Sequence, residues 1–247
     1  MNTRLNNKII IVTGGSGLLG RAIINRLLKE GAICINFEIN VETTPDLSLI
    51  NVDITDEQSV SQGLEKVKLK FGKIDGLVNN AYPRTKDWGL KFENIPLDSW
   101  RKNIDLQLNS YFYLCQSVSK YMVNQQFGSI VNMASIYGVV GPTFAVYENT
   151  EMTMPAAYSA IKGGLINFSK YLAAYLGKNN VRVNVVSPGG IFDNQPSSFV
   201  KKYNENTPLN RMGNPEDIAP SVAFLLSEDA KYITGQNLII DGGWTAI

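Results

Sequence analysis

The sequence predicts a single α/β domain: a Rossmann-type, doubly wound parallel sheet of about seven strands with helices on both faces. Three observations predict it. Short β-rich runs alternate with helical patterns along all 247 residues, with no linker, repeat or low-complexity tract between them. Several of those runs are almost wholly apolar, as expected where both faces of a strand are covered. A glycine-rich turn follows the first run and opens a helical pattern, the arrangement that places backbone N–H groups around a phosphate.

In chain order the strand candidates are Lys8–Thr13, Ile33–Phe37, Leu49–Asp53, Gly76–Asn79, Gly128–Ala134, Val181–Ser187 and Asn237–Asp241. Helical patterns fill the intervals. The clearest, Leu18–Glu30, carries Leu18, Leu19, Ala22, Ile23 and Leu27 on one stripe. Alternation of this kind gives right-handed crossovers and one domain spanning 1–247.

In such a sheet a ligand binds outside the carboxyl ends of the strands, so the residues just after each strand carry the information. After the first strand comes Thr13-Gly14-Gly15-Ser16-Gly17-Leu18-Leu19-Gly20, where a dinucleotide's pyrophosphate would face the helix N-terminus. Gly14, Ser16, Gly17, Leu18, Leu19 and Gly20 are therefore candidate cofactor contacts. Glu38 closes the second strand, where a carboxylate can accept from both ribose hydroxyls of an adenosine and would repel a 2′-phosphate. NAD is favoured over NADP on that ground. Asp53 and Ile54 follow the third strand, where the acid could meet an adenine amino group. Asn79, Asn80 and Ala81 follow the fourth, where an amide can tie the strand end beside the cofactor. Asn and Asp are also ordinary turn formers, and that reading stays open here.

The candidate chemistry lies further on. Tyr158 and Lys162 stand one helical turn apart in AAYSAIKGG, on one face of one helix, and Ser135 ends the run SIVNMAS. A free phenol titrates near ~10 and is a poor base at neutral pH. An ammonium beside it favours the phenolate, so Lys162 is expected to lower the Tyr158 pKa toward useful proton exchange with a substrate hydroxyl. Ser135 could hold the substrate oxygen.

Composition excludes much else. The chain has no histidine, which removes Ser-His-Asp and Cys-His nucleophilic catalysis in their usual forms and any His-ligated zinc. Two separated cysteines, Cys34 and Cys115, cannot replace such ligands and read as buried free thiols, so no metal is expected. A net charge of +1 from 23 basic and 22 acidic residues, with no basic run, offers nothing to nucleic acid or a membrane surface. No apolar stretch approaches the ~18 residues of a membrane span, and a cytoplasmic protein with a small-molecule substrate is expected.

Taken together, TGGSGLLG, VDITD, VNNA, SIVNMAS, YSAIK, VRVNVVSPGG and YITGQNLIIDGG resemble the short-chain dehydrogenase/reductase family over nearly the whole chain. The resemblance implies proton relay by Tyr158, substrate-oxygen binding by Ser135, and a dual role for Lys162 in holding the nicotinamide ribose and tuning the tyrosine. It also implies nicotinamide contacts from the loop around Pro188, Gly189 and Ile191. More narrowly, NNAYPR, YENTEMTMPAAYSAIK and SPGGIFDNQP resemble flagellin-modification oxidoreductases of bacterial surface-sugar pathways. The implied activity is interconversion of a secondary alcohol and a ketone on a sugar, sugar phosphate or polyol. A ketoacyl or small-ketone reductase is the alternative, and a catalytically silent nucleotide-binding regulator a third reading.

Four positions depart from the family pattern. Leu18 takes the place of the second motif glycine, Tyr82 replaces the glycine after NNA, and Asp193 stands where a threonine often meets the nicotinamide amide. Gln107 falls at the position of the usual catalytic asparagine, which holds a water linking the lysine to solvent; its longer amide is expected to keep that task. Ser135 and Tyr158 are also further apart than is usual, because of an inserted stretch at about 141–155. It joins two catalytic elements and is rich in aromatics, amides and acids, so it is expected at the cleft mouth. Tyr82, Tyr147, Glu148 and Asp193 are the candidate substrate contacts, with Tyr147 and Glu148 expected to face the cleft. An apolar helix around Ala157–Leu176 and the tail Trp244-Thr245-Ala246-Ile247 predict a homo-oligomer, a tetramer by family resemblance.

Overall fold

Seven strands pair in the order β3-β2-β1-β4-β5-β6-β7, all parallel, in the computed structural model, which describes residues 3–247. They are β1 (Ile9–Thr13), β2 (Ile33–Glu38), β3 (Leu49–Asn51), β4 (Gly76–Asn79), β5 (Gly128–Met133), β6 (Val181–Pro188) and β7 (Asn237–Ile240). Every expected strand is present, with ends shifted by a residue or two. The largest shift is at β3, which stops at Asn51 because Asp53 begins a turn, its Oδ1 accepting from the Thr55 N–H at 2.9 Å.

The helices are α1 (Leu18–Lys29), α2 (Glu57–Phe71), α3 (Leu97–Ile104), α4 (Ser110–Gln125), α5 (Ala156–Leu176), α6 (Ser197–Glu205) and α7 (Pro215–Leu226). Pleating divides the strand side chains between two cores. Ile9 and Ile11 of β1 join residues of α2, α4 and α5 on one face. Ile10 and Val12 join Ile23 and Leu27 of α1 and Ile218 and Val222 of α7 on the other. The apolar runs therefore reflect burial on both faces. Leu18 departs from its expected stripe: it is 37% exposed at the first turn of α1, while Ala22, Ile23 and Leu27 are buried.

The strand order reverses between β1 and β4, which makes their carboxyl ends the switch point of the sheet. That seam is stitched by hydrogen bonds. Thr13 Oγ1 accepts from the backbone N–H groups of Asn80 and Ala81, both at 3.0 Å. Asn80 Nδ2 returns bonds to the carbonyls of Thr13 and Gly14 at 3.0 and 3.1 Å. The asparagine thus ties two strand ends together.

One expectation about burial holds here and another changes. Cys34 and Cys115 are buried free thiols, and burial pushes both up to about 12. Trp244 of the apolar tail is not held for a partner: it is buried in its own chain, stacked on Tyr203 with ring centroids 4.3 Å apart. No helix among the described residues is long and apolar enough to cross a membrane.

Candidate active site

A cleft of about 920 Å³ runs across the carboxyl edge of the sheet. Gly14, Gly17, Leu18 and Leu19 line it from the β1–α1 turn, Glu38 from the end of β2, and Asp53 and Ile54 from beyond β3. Asn80, Ala81 and Tyr82 line it after β4, and Pro188, Gly189, Ile191 and Asp193 after β6. Ser135, Tyr158, Lys162 and Tyr147 complete the wall. The fold brings together on one surface side chains that the sequence spreads over most of its length.

The glycine-rich turn fits a pyrophosphate-bearing ligand. Gly14 adopts φ +63°, and a Cβ there would lie 2.9 Å from the Ala81 Cα. Gly20 does not touch the cleft, contrary to expectation. A Cβ on it would lie 2.2 Å from the Gly14 carbonyl, so its role is to let α1 start directly beneath the turn. Ser16 also lies off the cleft wall; its backbone N–H donates to Glu38 Oε2 at 3.1 Å. Together with the Ile39 N–H donating to Oε1 at 3.1 Å, it aims the carboxylate. Asn36, which sequence reasoning missed, braces the same turn. Its Oδ1 accepts from the Gly15 N–H at 2.8 Å and its Nδ2 donates to Ser16 Oγ at 3.0 Å. A polar residue inside an otherwise apolar strand was the available signal.

Ser135 lies two residues beyond β5 in extended backbone, buried, its Oγ accepting from the Tyr137 N–H at 3.2 Å. The short helical turn behind it packs tightly on α5, since a Cβ at Gly138 would lie 2.6 Å from the Lys162 carbonyl carbon. That approach sets the serine beside the tyrosine. Tyr158 and Lys162 lie on one face of α5, one turn apart. Burial is the main influence on Tyr158 and raises it, with a hydrogen bond from Ser135 acting in the opposite direction. Lys162 is buried and pushed down to about 7. Its Nζ donates to the Met133 carbonyl at 2.9 Å and lies 5.5 Å from the Tyr158 ring centroid. The expected lowering of the phenol by the lysine therefore does not dominate: burial acts on both groups, and a lysine near neutrality with its proton aimed at a carbonyl exerts a weaker pull.

The residue expected to hold a water linking the lysine to solvent is Gln107. It sits in a π-helical turn, Asp105–Asn109, between α3 and α4, 1% exposed and off the cleft wall. Neither of its amide atoms finds a hydrogen-bond partner in the protein.

The inserted stretch folds against α6. Val146 is buried, Tyr147 packs on Phe199 with centroids 5.2 Å apart, and Tyr147 Oη donates to Tyr137 Oη at 3.4 Å. Tyr147, Glu151, Met152, Thr153 and Met154 all line the cleft. Glu148 does not. It points outward and pairs with Lys202 of α6 at 3.1 Å, because the Phe144–Tyr147 helical turn ends there and directs successive side chains to opposite sides. Opposite the insertion, Tyr82, Trp88 and Tyr158 meet edge to face, with centroids 5.8 Å apart for Tyr82–Trp88 and Tyr82–Tyr158 and 6.3 Å for Trp88–Tyr158. Trp88 was not anticipated, since it lies in an irregular loop where no periodicity marks a face.

Comparison with known proteins agrees with this geometry. The family described as Enoyl-(Acyl carrier protein) reductase matches residues 19–245. The post-translational flagellin modification protein A of Campylobacter coli is 36% identical over 97% of this chain and 99% of its own. The 7alpha-hydroxysteroid dehydrogenase of Bacteroides fragilis is 33% identical over 98% of this chain and 96% of its own. Among solved structures, a short chain dehydrogenase from Leptospira borgpetersenii with bound NAD+ superposes with a TM-score of 0.88 at 34% identity, covering 98% of this chain and 94% of that one.

Proposed function

The chain belongs to the short-chain dehydrogenase/reductase family, and on that premise we propose that it interconverts a secondary alcohol and a ketone on a sugar, sugar phosphate or polyol, with NAD preferred to NADP. The observation that carries this reading is the convergence of Ser135, Tyr158 and Lys162, from two separate elements, on the cleft that also holds the glycine-rich turn and Glu38. Family membership makes it an oxidoreductase using a nicotinamide cofactor; the substrate class and the choice of NAD are the proposal.

Glu38, Asp53 and Ile54 would hold the adenosine end and the N-terminus of α1 the pyrophosphate. Asn80, Ala81, Pro188, Gly189 and Ile191 would flank the nicotinamide end. The bound cofactor supplies or accepts the hydride. The chain's own residues align the substrate carbon and handle the proton. Ser135 donates to the substrate oxygen, and Tyr158 exchanges a proton with it. Lys162, buried beneath the tyrosine, supplies the nearby positive charge when protonated. Support for a hydroxylated substrate comes from the polar groups facing the cleft from the insertion, Tyr147 and Glu151, opposite an aromatic wall on which a sugar ring can pack. The relative named for flagellin modification supports a substrate from surface-glycan chemistry.

The test is NADH formation across a panel of sugars, sugar phosphates and polyols, repeated with Tyr158→Phe. Loss of a general acid–base group costs ~10²–10⁴ in rate. The variant should lose turnover to that extent and bind NAD within a few-fold of the wild type. A variant keeping most of its kcat would remove Tyr158 from the chemistry.

A further inference from the structure

The substrate half of the cleft contains a cation that the reaction does not use. Arg4, Arg26, Arg101 and Arg211 each pair with a carboxylate, and Arg182 donates to backbone carbonyls. Arg84 lines the cleft and forms no ion pair with any described residue. Its guanidinium carbon lies 5.2 Å from the centroid of the Tyr82 ring, which also meets Tyr158 at 5.8 Å between centroids. One tyrosine ring thus touches both the arginine and the proton-exchanging group.

Stacking on an aromatic face orients a guanidinium while leaving its planar fork of donors free, the geometry that grips a carboxylate or phosphate. Lys162 is the other cation of the cleft, but it is buried and its proton goes to the Met133 carbonyl. Glu151 and Asp193 line the cleft as well. They disfavour a bare anion and favour one that also offers hydroxyl donors.

We propose that Arg84 holds an anionic group of the substrate, a phosphate or a carboxylate, so that the substrate is a hydroxylated anion rather than a neutral sugar or polyol. The reading rests on the oxidoreductase assignment above and narrows its substrate class. The ring of the ligand packs against Tyr82 and Trp88, its reacting hydroxyl reaches Ser135 and Tyr158, and its charge reaches Arg84 at the cleft mouth. Arg84 is a specificity residue, not part of the proton exchange.

Matched sets of hexose, hexose 6-phosphate and hexuronate, titrated calorimetrically into the NADH-loaded protein, test this. At least one anionic ligand should bind about ten- to a hundred-fold more tightly than its neutral parent, the gap expected of one charge-assisted contact. Whether the phosphate or the uronate leads identifies the anion. Arg84→Met should abolish the gap, Arg84→Lys should restore part of it, and neither should change affinity for the neutral parent or for NADH. Equal binding of neutral and anionic partners by the wild type would overturn the proposal, as would an Arg84→Met variant that weakens both alike, or binding of no member of the sets. Oxidation of a neutral sugar or polyol in the NADH assay, lost in Tyr158→Phe, would leave the oxidoreductase reading standing while this one falls.

Discussion

At the scale of single residues, burial decides more than proximity. Tyr158 and Lys162 were legible as a pair because helical spacing is a local property, but their electrostatics were not, because desolvation depends on the whole fold. Lys162 gives this a consequence for stability. Its folded value of about 7 lies below the ordinary 10.5. Between those values the unfolded chain binds a proton that the folded chain does not, so stability rises with pH across that window. Below it the full cost of charging a buried amine is borne. From pH 7 to pH 9 the wild type should therefore gain thermal stability relative to Lys162→Met; parallel melting curves for the two would contradict this. Glu38 carries the second prediction at this scale. With its carboxylate aimed by the N–H groups of Ser16 and Ile39, it is set to accept hydroxyls and to repel a phosphate. Glu38→Ala should narrow the ratio of NADP to NAD dissociation constants about tenfold, the worth of one strong charged contact. Equal constants in the wild type would refute the preference.

At the scale of elements, strands and helices were legible, whereas the insertion was legible only in part. A strand covered on both faces announces itself as an apolar run, and a helix as a stripe. The insertion has neither period, so its composition told that it was polar and aromatic but not which side chains turn inward. Tyr147 faces the cleft, and Glu148, its neighbour, ties the segment to α6 through Lys202, which also donates to the Ala145 carbonyl at 2.9 Å. An ion pair this exposed contributes only ~0–1 kcal/mol. Glu148→Ala should accordingly leave kcat/KM within about fivefold, given that magnitude. Tyr147→Ala removes the packing on Phe199 and a cleft wall, and should raise KM markedly while NAD affinity holds. Steady-state kinetics of the two variants on one substrate checks both expectations. A large loss in the Glu148 variant alone would mean that the strap, not the tyrosine, shapes the substrate site.

At the scale of the molecule, sheet order and site position followed from topology once the strands were known, because a reversal in strand order leaves a crevice at their carboxyl ends. Association is predicted from what topology leaves uncovered. The same rule that buries Leu165 and Leu172 of α5 against the sheet leaves Tyr171 and Tyr175 of that helix 63% and 61% exposed. Those two rings stack with centroids 6.0 Å apart, and Phe112 of α4 is 47% exposed beside Phe168 at 5.8 Å. Three exposed aromatic rings on two neighbouring helices, with half-buried Phe168 beside them, make an apolar surface of a kind that monomers seldom carry. A second copy related by a two-fold axis presents the same rings to them, so one surface can cover itself. The tail contributes less than its sequence suggested, since Trp244 is already packed on Tyr203, which leaves Ala246 and Ile247 exposed at its end. Light scattering at micromolar concentration should therefore give a mass above that of one chain, a tetramer being the expected size. Tyr171→Glu combined with Phe112→Glu should shift that mass downward by placing like charges at the helix pair. A monomeric wild type, or a double variant that assembles unchanged, would assign these rings to some role other than self-association.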